Sequence, residues 1–170
     1  MIKKRILVTG GSGKFGSQLC EALFLAGYEP CIIDRKNDSY ESIPLFGMLA
    51  EIDLLDTASV TELMLREKLS AVIHLAHLHD EAESFLKPDL YYENNFGGTL
   101  SLLKAMKAAD LRILISLEHQ ANQESPLKKS YQMSSQLLLD TEKAYGWKVA
   151  TLPSEDSALF VAKLKELLGS

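Results

Sequence analysis

The most constraining feature of the sequence is a short apolar run that ends in a glycine-rich turn. It reads ILVTGGSGKFG over residues 6–16, and a G-x-x-G-x-x-G spacing is formed by Gly10, Gly13 and Gly16. Glycines at this spacing allow a sharp strand-to-helix turn, close approach of a diphosphate to the backbone, and tight packing of helix on strand. The N–H groups at the start of the next helix, near Lys14 and Phe15, would face the anion. Glycines also occur in ordinary turns, but this context predicts a strand, turn and helix that bind the pyrophosphate of a dinucleotide.

A carboxylate stands at the end of the next predicted strand. Residues 29–34 read EPCIID, which places Asp34 18 residues after Gly16. An acid at this position accepts hydrogen bonds from the ribose hydroxyls of adenosine and repels a 2′-phosphate. We therefore expect NAD in preference to NADP, with Arg35 and Lys36 offsetting part of the repulsion. The alternative is that Asp34 is a turn residue at a strand end.

Length and composition favour one globular domain. The chain has 170 residues, of which 46% are hydrophobic and 24% charged, and a net charge of −5. It is long enough for one core and too short for two domains of ordinary size, so we expect a single domain over residues 1–170. The acidic balance gives no reason to expect a nucleic acid or an anionic membrane as partner. No apolar run approaches the ~20 residues that a membrane-spanning helix needs.

The cysteines and the N-terminal segment indicate a reducing compartment. Cys20 and Cys31 fall within apolar runs, so we expect buried, reduced thiols. The basic start at residues 3–5 is followed by an apolar run that breaks at Thr9-Gly10, which is typical of a first strand rather than of a signal peptide. We therefore expect a cytoplasmic protein.

Apolar runs of strand length alternate with helical periodicity along the whole chain. This alternation is typical of a parallel sheet with crossover helices on both faces. Strands are predicted at residues 4–9, 29–34, 48–53, 71–76, 111–116 and 148–152, and helices at 14–27, 57–68, 88–109, 130–145 and 155–168. The expected fold class is α/β: a single Rossmann-like, doubly wound parallel sheet of about six strands in the order 3-2-1-4-5-6.

Several segments, taken in order, resemble the extended short-chain dehydrogenase/reductase family of NAD-dependent epimerases and dehydratases, in particular UDP-glucose 4-epimerases. They are Val8-Thr-Gly-Gly-Ser-Gly13, Glu51-Ile-Asp53, Val72-Ile-His-Leu-Ala76, Tyr91-Tyr-Glu-Asn-Asn95 with Gly98-Thr99, and Ala144-Tyr-Gly-Trp147. The resemblance implies a cofactor site that adds Asp53 and Leu54 near the adenine, and Leu75 and Ala76 along the diphosphate and ribose. It also implies that Asn94 or Asn95 supports the active-site loops, and the predicted cofactor residues include Asn94.

The sequence departs from the family at the expected catalytic positions. The family's Tyr-x-x-x-Lys pair, in which lysine and cofactor lower the tyrosine pKa, becomes Tyr131-Gln-Met-Ser-Ser135 here. A tyrosine near its ordinary pKa of ~10 is a poor base at neutral pH. Lys128 is predicted to lie in the loop or first helical turn and to point elsewhere.

The family's serine cluster after the fifth strand is also altered. The segment reads Ile115-Ser-Leu-Glu-His-Gln120, so that Ser116 falls too early and Glu118 or His119 takes the expected position. We retain Tyr131, His77, Glu118 and His119 as catalytic candidates.

The chain continues after the sixth strand with one amphipathic helix, where the family continues into a C-terminal sugar-nucleotide lobe that we expect to be absent here. The helix carries Phe160, Val161 and Leu164 on one stripe. This stripe either packs on the sheet, covers a surface that the lobe would bury, or meets a partner. The resemblance also implies a homodimer through the helices near 88–109 and 130–145, with a protein partner as the alternative.

Three histidines cluster near the end of the fourth strand. Strand alternation places His77 and His79 on one face and His74 on the other, and no cysteine completes a ligand set, so we predict no metal site. His74 is expected to be structural. His77 is either a substitute acid/base or a plug in the cofactor pocket. Asp80, Glu81 and Glu83 form an acidic loop that would raise the pKa of a neighbouring histidine, and the alternative is an ordinary solvated loop.

Three functions are compatible with these features. The first is an NAD-binding protein without the family's standard catalysis, acting as a cofactor sensor or as a partner subunit. The second is an active NAD-dependent oxidoreductase or epimerase with a rebuilt site around Tyr131. The third is an interaction module whose cofactor pocket is empty or blocked.

Overall fold

The protein forms one six-stranded parallel sheet with helices packed on both faces. The computed structural model describes residues 3–35, 46–153 and 155–169. The strands are β1 Arg5–Thr9, β2 Glu29–Asp34, β3 Met48–Glu51, β4 Ala71–His74, β5 Ile113–Leu117 and β6 Lys148–Leu152, in the order β3-β2-β1-β4-β5-β6. All neighbouring pairs are parallel. The predicted fold class and strand order are confirmed.

The helices follow the strands in the alternation that the sequence predicts. They are α1 Lys14–Leu25, α2 Thr57–Glu67, α3 Glu81–Leu86, α4 Pro88–Tyr91, a π-helical turn Tyr92–Gly97, α5 Gly98–Ala108, α6 Pro126–Tyr145 and α7 Ser157–Leu168. None of the helices in the described ranges combines the length and the hydrophobicity needed to cross a bilayer.

Strand alternation divides the core into two layers, one on each face of the sheet. In β1, Ile6 and Val8 face the layer with α1 and α7, whereas Leu7 faces the layer with α2, α5 and α6. The cysteines fall on opposite sides, since Cys20 belongs to the first layer and Cys31 to the second. Both thiols are free and buried, as predicted, and burial raises the pKa of each to about 12.

Helix α7 is an ordinary core element, which resolves the alternatives for the C-terminal stripe. Phe160 and Leu164 are fully buried and Val161 is nearly so. The Phe160 ring packs edge-on against the Phe15 ring of α1, with centroids 5.5 Å apart and planes at 62°. The stripe therefore covers the sheet beside α1.

The acidic stretch predicted as a loop contains a short helix. Asp80 caps α3 by accepting a hydrogen bond from the Glu83 N–H at 2.9 Å, and Glu83 accepts one from the Tyr91 hydroxyl at 3.0 Å. The Glu81 carboxylate accepts hydrogen bonds from the Gln123 N–H and the Ser125 hydroxyl, both at 3.3 Å. These contacts tie α3 to the start of α6.

The start of α6 and the interior of the long helix also differ from the prediction. Helix α6 begins at Pro126, four residues early, because the Ser125 hydroxyl accepts the Lys128 N–H at 3.1 Å and proline suits the first helical position. The long helix predicted at 88–109 has the expected extent but contains a π-helical turn, a feature frequent at functional sites. Residues 36–45, between β2 and β3, lie outside the described residues, and Lys36 is one of them.

Candidate functional site

A cleft of about 440 Å³ opens at the carboxyl ends of the central strands. Its walls come from the glycine loop after β1, the end of β2, the segment after β3, the segment after β4 and the π-helical turn. All of the predicted cofactor residues except Phe15 and Gly16 line it: Gly10, Gly13, Lys14, Asp34, Asp53, Leu54, Leu75, Ala76 and Asn94. A site of this kind, outside the carboxyl ends of parallel strands, is where α/β sheets bind ligands.

The glycine loop is packed so closely that side chains are excluded at two of the three glycines of the G-x-x-G-x-x-G spacing. Gly10 has φ +68°, and a Cβ there would lie 2.9 Å from the Ala76 backbone. A Cβ on Gly16 would lie 2.5 Å from the Gly10 carbonyl oxygen. A Cβ on Gly13 would meet only that same oxygen, at 3.4 Å, and Gly13 borders the cleft. Gly10 and Gly16 therefore determine the shape of the loop, whereas at Gly13 the missing side chain lets a diphosphate approach the backbone.

Two predicted cofactor residues do not present their side chains to the cleft. Phe15 is buried in the core against Phe160, so that only its backbone N–H remains at the helix start. Gly16 contributes through the packing of loop on helix. Among the predicted residues at the other end of the cleft, Asp53 is exposed and accepts a hydrogen bond from the Leu55 N–H at 2.9 Å.

The carboxylate of Asp34 is tied into the glycine loop. One oxygen accepts hydrogen bonds from the Ser12 N–H, at 3.2 Å, and from the Ser12 hydroxyl. The other accepts the Arg35 N–H at 2.9 Å. The Arg35 guanidinium reaches across to the Asn94 side-chain oxygen at 3.0 Å, so it is engaged away from Asp34. The carboxylate thus lines the cleft with acceptor capacity remaining on both oxygens.

His74 fixes the backbone that forms the inner wall of the cleft. Thr99 donates its single hydroxyl hydrogen to the Asn95 carbonyl at 2.7 Å, so its 3.0 Å contact with His74 requires Nε2–H of His74 to donate. His74 Nδ1 then accepts the Thr9 hydroxyl hydrogen at 2.7 Å. The Thr9 oxygen in turn accepts the N–H groups of residues 75 and 76, each at 3.2 Å. This network gives His74 the structural role that was predicted.

Asn95, rather than Asn94, supports the loop after β4. Its side chain is fully buried, accepts the Leu78 N–H at 2.8 Å, and donates to the Leu78 carbonyl at 3.2 Å and to the Ser130 hydroxyl at 3.0 Å. Asn94 lines the cleft instead. The two expected roles of this pair are thus divided between neighbouring residues on the π-helical turn.

Four aromatic rings pack together beside the inner end of the cleft. This ring cluster consists of His74, His77, His119 and Tyr131. Ring centroids are 4.7 Å apart for His74–His77, 4.2 Å for His77–His119, 4.9 Å for His119–Tyr131 and 5.8 Å for His77–Tyr131. A cavity of only about 10 Å³ remains beside the rings, which is room for one water molecule.

The positions of these histidines correct two expectations from the sequence. Strand β4 ends at His74, so strand alternation does not apply to His77, whose ring packs on that of His74. The acidic stretch does not raise the histidine pKa values. Burial is the largest cause of the lowered pKa values, and the charge of a neighbouring histidine is the second. The pKa is lowered to about 3 for His74, to about 4 for His119, and well below its usual value for His77.

Two imidazole nitrogens in the ring cluster are buried without a hydrogen-bond partner. In the described part of the chain, these are Nδ1 of His77 and Nε2 of His119. The Tyr131 hydroxyl, in contrast, donates to the Leu78 carbonyl at 2.8 Å. Burial raises the pKa of Tyr131 above its usual value, so its phenol is a weaker acid here than in water.

Comparison with known proteins places this architecture in a family. The model of the NAD dependent epimerase/dehydratase family matches residues 6–136. The chain belongs to this family.

Two similar sequences and two similar structures are those of UDP-glucose 4-epimerases. That of Rhizobium meliloti is 36% identical over 111 residues, covering 65% of this chain and 34% of the relative, and that of Klebsiella pneumoniae is 39% identical over 119 residues, covering 65% and 86%. The crystal structure of the Brucella ovis enzyme in complex with NAD has a TM-score of 0.79 at 29% identity, covering 88% of this chain and 51% of that one. The Stenotrophomonas maltophila enzyme, with bound NAD and formylated UDP-arabinopyranose, has a TM-score of 0.81 at 26% identity, covering 88% and 52%. The chain thus spans 34% of the length of the first of these curated relatives.

The catalytic candidates differ in whether they lie beside the small cavity. Tyr131 lies in the ring cluster, and Ser135, at the position of the family's lysine, is exposed at the edge of the small cavity. Lys128 does not replace that lysine, because its ammonium pairs with Glu124 at 2.5 Å. The Glu118 side chain is exposed and lines neither cavity, whereas the hydroxyl of Ser116 lines the small one.

The structure brings two catalytic candidates, His77 and His119, into contact. His77 lies three residues after β4 and His119 two residues after β5, and these strands are neighbours in the sheet. The predicted strand order therefore contained the signal that the two rings meet at one edge. No group of three or more potential metal-ligating side chains is arranged around an ion position within the described residues.

Proposed function

We propose that this chain binds NAD in the cleft and lacks the tyrosine–lysine proton transfer of its family. Two features carry the proposal. The Tyr131 hydroxyl donates its hydrogen bond to the Leu78 carbonyl, and Ser135 stands at the position of the family's lysine. A general base must be able to accept a proton at neutral pH, and burial moves the pKa of Tyr131 in the opposite direction. The chain then acts as a cofactor sensor or as a subunit of a larger assembly.

The residues present fit the cofactor. The open space beside Gly13 and the first N–H groups of α1 suit the diphosphate, and Asp34 suits the adenosine ribose. Ile52 and Leu54 offer apolar surface for an adenine, with the Asp53 carboxylate beside them. When bound, NAD supplies a hydride acceptor. A homodimer through the long helix and α6, in the manner inferred from the family, remains a separate proposal.

The second candidate is an active enzyme with a rebuilt site. It is favoured by the unpartnered nitrogens of His77 and His119, which lie in the same cluster as Tyr131. An imidazole with a lowered pKa is neutral at pH 7 and keeps an unprotonated ring nitrogen, but it is a weaker base than a free histidine.

Absorbance at 340 nm distinguishes the two candidates. The protein is saturated with NAD, then mixed with UDP-glucose or UDP-galactose, and NADH formation and sugar epimerisation are followed. We expect NAD binding without reduction or epimerisation. Turnover that disappears in Tyr131→Phe and persists in Tyr145→Phe, a tyrosine outside the ring cluster, would establish the second candidate instead.

A further inference from the structure

We propose that the cleft selects its ligand by the adenosine 5′-diphosphate moiety alone, because the ring cluster fills the place that a nicotinamide would need. The ligand class is then ADP-containing nucleotides, with ADP-ribose bound as well as NAD. This inference rests on the proposed function and specifies the ligand of the same site.

The sheet topology assigns the two halves of a dinucleotide to opposite sides of the β1/β4 boundary. In a 3-2-1-4-5-6 sheet, one half lies over β1, β2 and β3 and the other over β4, β5 and β6. The 440 Å³ cleft is built by the ends of β1, β2 and β3 and by the segment after β4 from Leu75 to His79. It therefore reaches from the first side to the end of β4 and includes no residue that follows β5 or β6.

The second side is occupied by side chains of the protein. His77, after β4, and His119, after β5, pack with centroids 4.2 Å apart, and Tyr131 of α6 stacks on His119 with planes at 26°. His77 borders both the cleft and the 10 Å³ cavity, so its ring forms the wall between them. The space behind that wall accommodates a water molecule and excludes a pyridine ring.

Several contacts hold the wall in place. Tyr131 is anchored through its hydroxyl to the Leu78 carbonyl, and the Leu78 backbone is held in turn by the buried Asn95. His77 packs on His74, whose ring is fixed by hydroxyls on both nitrogens. Opening the second half-site would require displacing rings that contact one another, two of which, His74 and Tyr131, are buried, so NAD is expected to leave its nicotinamide in solvent.

Calorimetric titration with NAD, ADP-ribose and ADP tests the inference. We expect the dissociation constants of NAD and ADP-ribose to agree within about threefold, since their difference reports only the contribution of the nicotinamide. NAD binding more than about thirtyfold tighter than ADP-ribose would overturn this inference while leaving the proposed function intact. If neither binds at about 1 mM, the proposed function fails and this inference fails with it.

Variants of the ring cluster provide the matched comparison. His77→Ala combined with His119→Ala creates space beside Tyr131 and should favour NAD over ADP-ribose by about tenfold or more. Tyr145→Phe, which lines neither the cleft nor the small cavity, should leave the ratio unchanged. An unchanged ratio in the double variant would count against the inference. NADH fluorescence on the wild-type protein decides the matter if the double variant does not fold: a free-solution spectrum supports the proposal, and a blue-shifted, enhanced emission contradicts it.

Discussion

Acidification should destabilise this protein well above the pH at which carboxylates titrate. His74 has a folded pKa of about 3 and His119 one of about 4, against 6.5 for an unperturbed histidine, and burial is the main cause for both. Between these values and 6.5 the unfolded chain binds protons that the folded chain does not. Unfolding therefore takes up protons, and the stability that is complete above pH 6.5 is lost as pH falls.

The size of the loss in unfolding free energy depends on how far the pH lies below the pKa of the unfolded histidine. At pH 5, which is 1.5 units below 6.5, each of these histidines has cost about 2 kcal/mol of unfolding free energy, or about 4 kcal/mol together. This is a large part of the 5–15 kcal/mol that is typical of a domain. The carboxylates with lowered pKa values, such as Asp56 and Glu124, lose their contribution only below about pH 4.5.

Urea unfolding followed by circular dichroism at several pH values between 7.5 and 5 measures the effect. In His119→Phe, which removes one titrating ring and keeps an aromatic one, the loss should shrink by about 2 kcal/mol. Tyr145→Phe, outside the ring cluster, serves as the control and should lose as much as wild type. A wild-type loss below about 1 kcal/mol, or an unchanged loss in His119→Phe, would refute the reasoning.

Three further outcomes follow from the packing and the charges. Gly16→Ala should cost about 1–3 kcal/mol in chemical denaturation, because its Cβ would overlap the Gly10 carbonyl, and equal stability to wild type would contradict the described loop packing. Phe160→Ala should cost about 3–5 kcal/mol, since the ring is fully buried, and a cost below about 1 kcal/mol would show that α7 is not a core element. Asp34→Asn should reduce the preference for NAD over NADP by about tenfold in paired titrations, because a charge facing the 2′-phosphate is removed, and an unchanged ratio would exclude this role for Asp34.

The backbone of the fold was predictable from the sequence because its signals are local and repeated. Each strand is an apolar run of the right length, and the glycine loop joins β1 to α1 within a few residues. Strand order then follows from the regular crossover rule for parallel sheets. The segment that was missed carries a weaker local signal: α3 has only six residues, and its cap at Asp80 stands within a run of acidic residues.

The ring cluster was not predictable to the same degree because it depends on tertiary packing. His77 and His119 are 42 positions apart in the sequence, and their pKa values are set by burial that only the folded chain creates. The neighbouring acidic residues suggested the opposite shift, because sequence proximity does not reveal that Glu81 and Glu83 are engaged with α6 and Tyr91. The division of roles between Asn94 and Asn95 likewise depends on the π-helical turn, which has no sequence signature of its own.

Calorimetric titration of NAD into wild type and Gly13→Val shows whether the glycine cleft binds a dinucleotide. Gly13 has φ −68° and a Cβ there would meet only the Gly10 carbonyl oxygen, at 3.4 Å, so a valine side chain intrudes where the diphosphate would approach. We expect a dissociation constant of about micromolar order for wild type, and binding weakened by about thirtyfold or more in the variant, whose fold is checked by circular dichroism. No binding to wild type at about 1 mM NAD, or equal binding to both proteins, would contradict it.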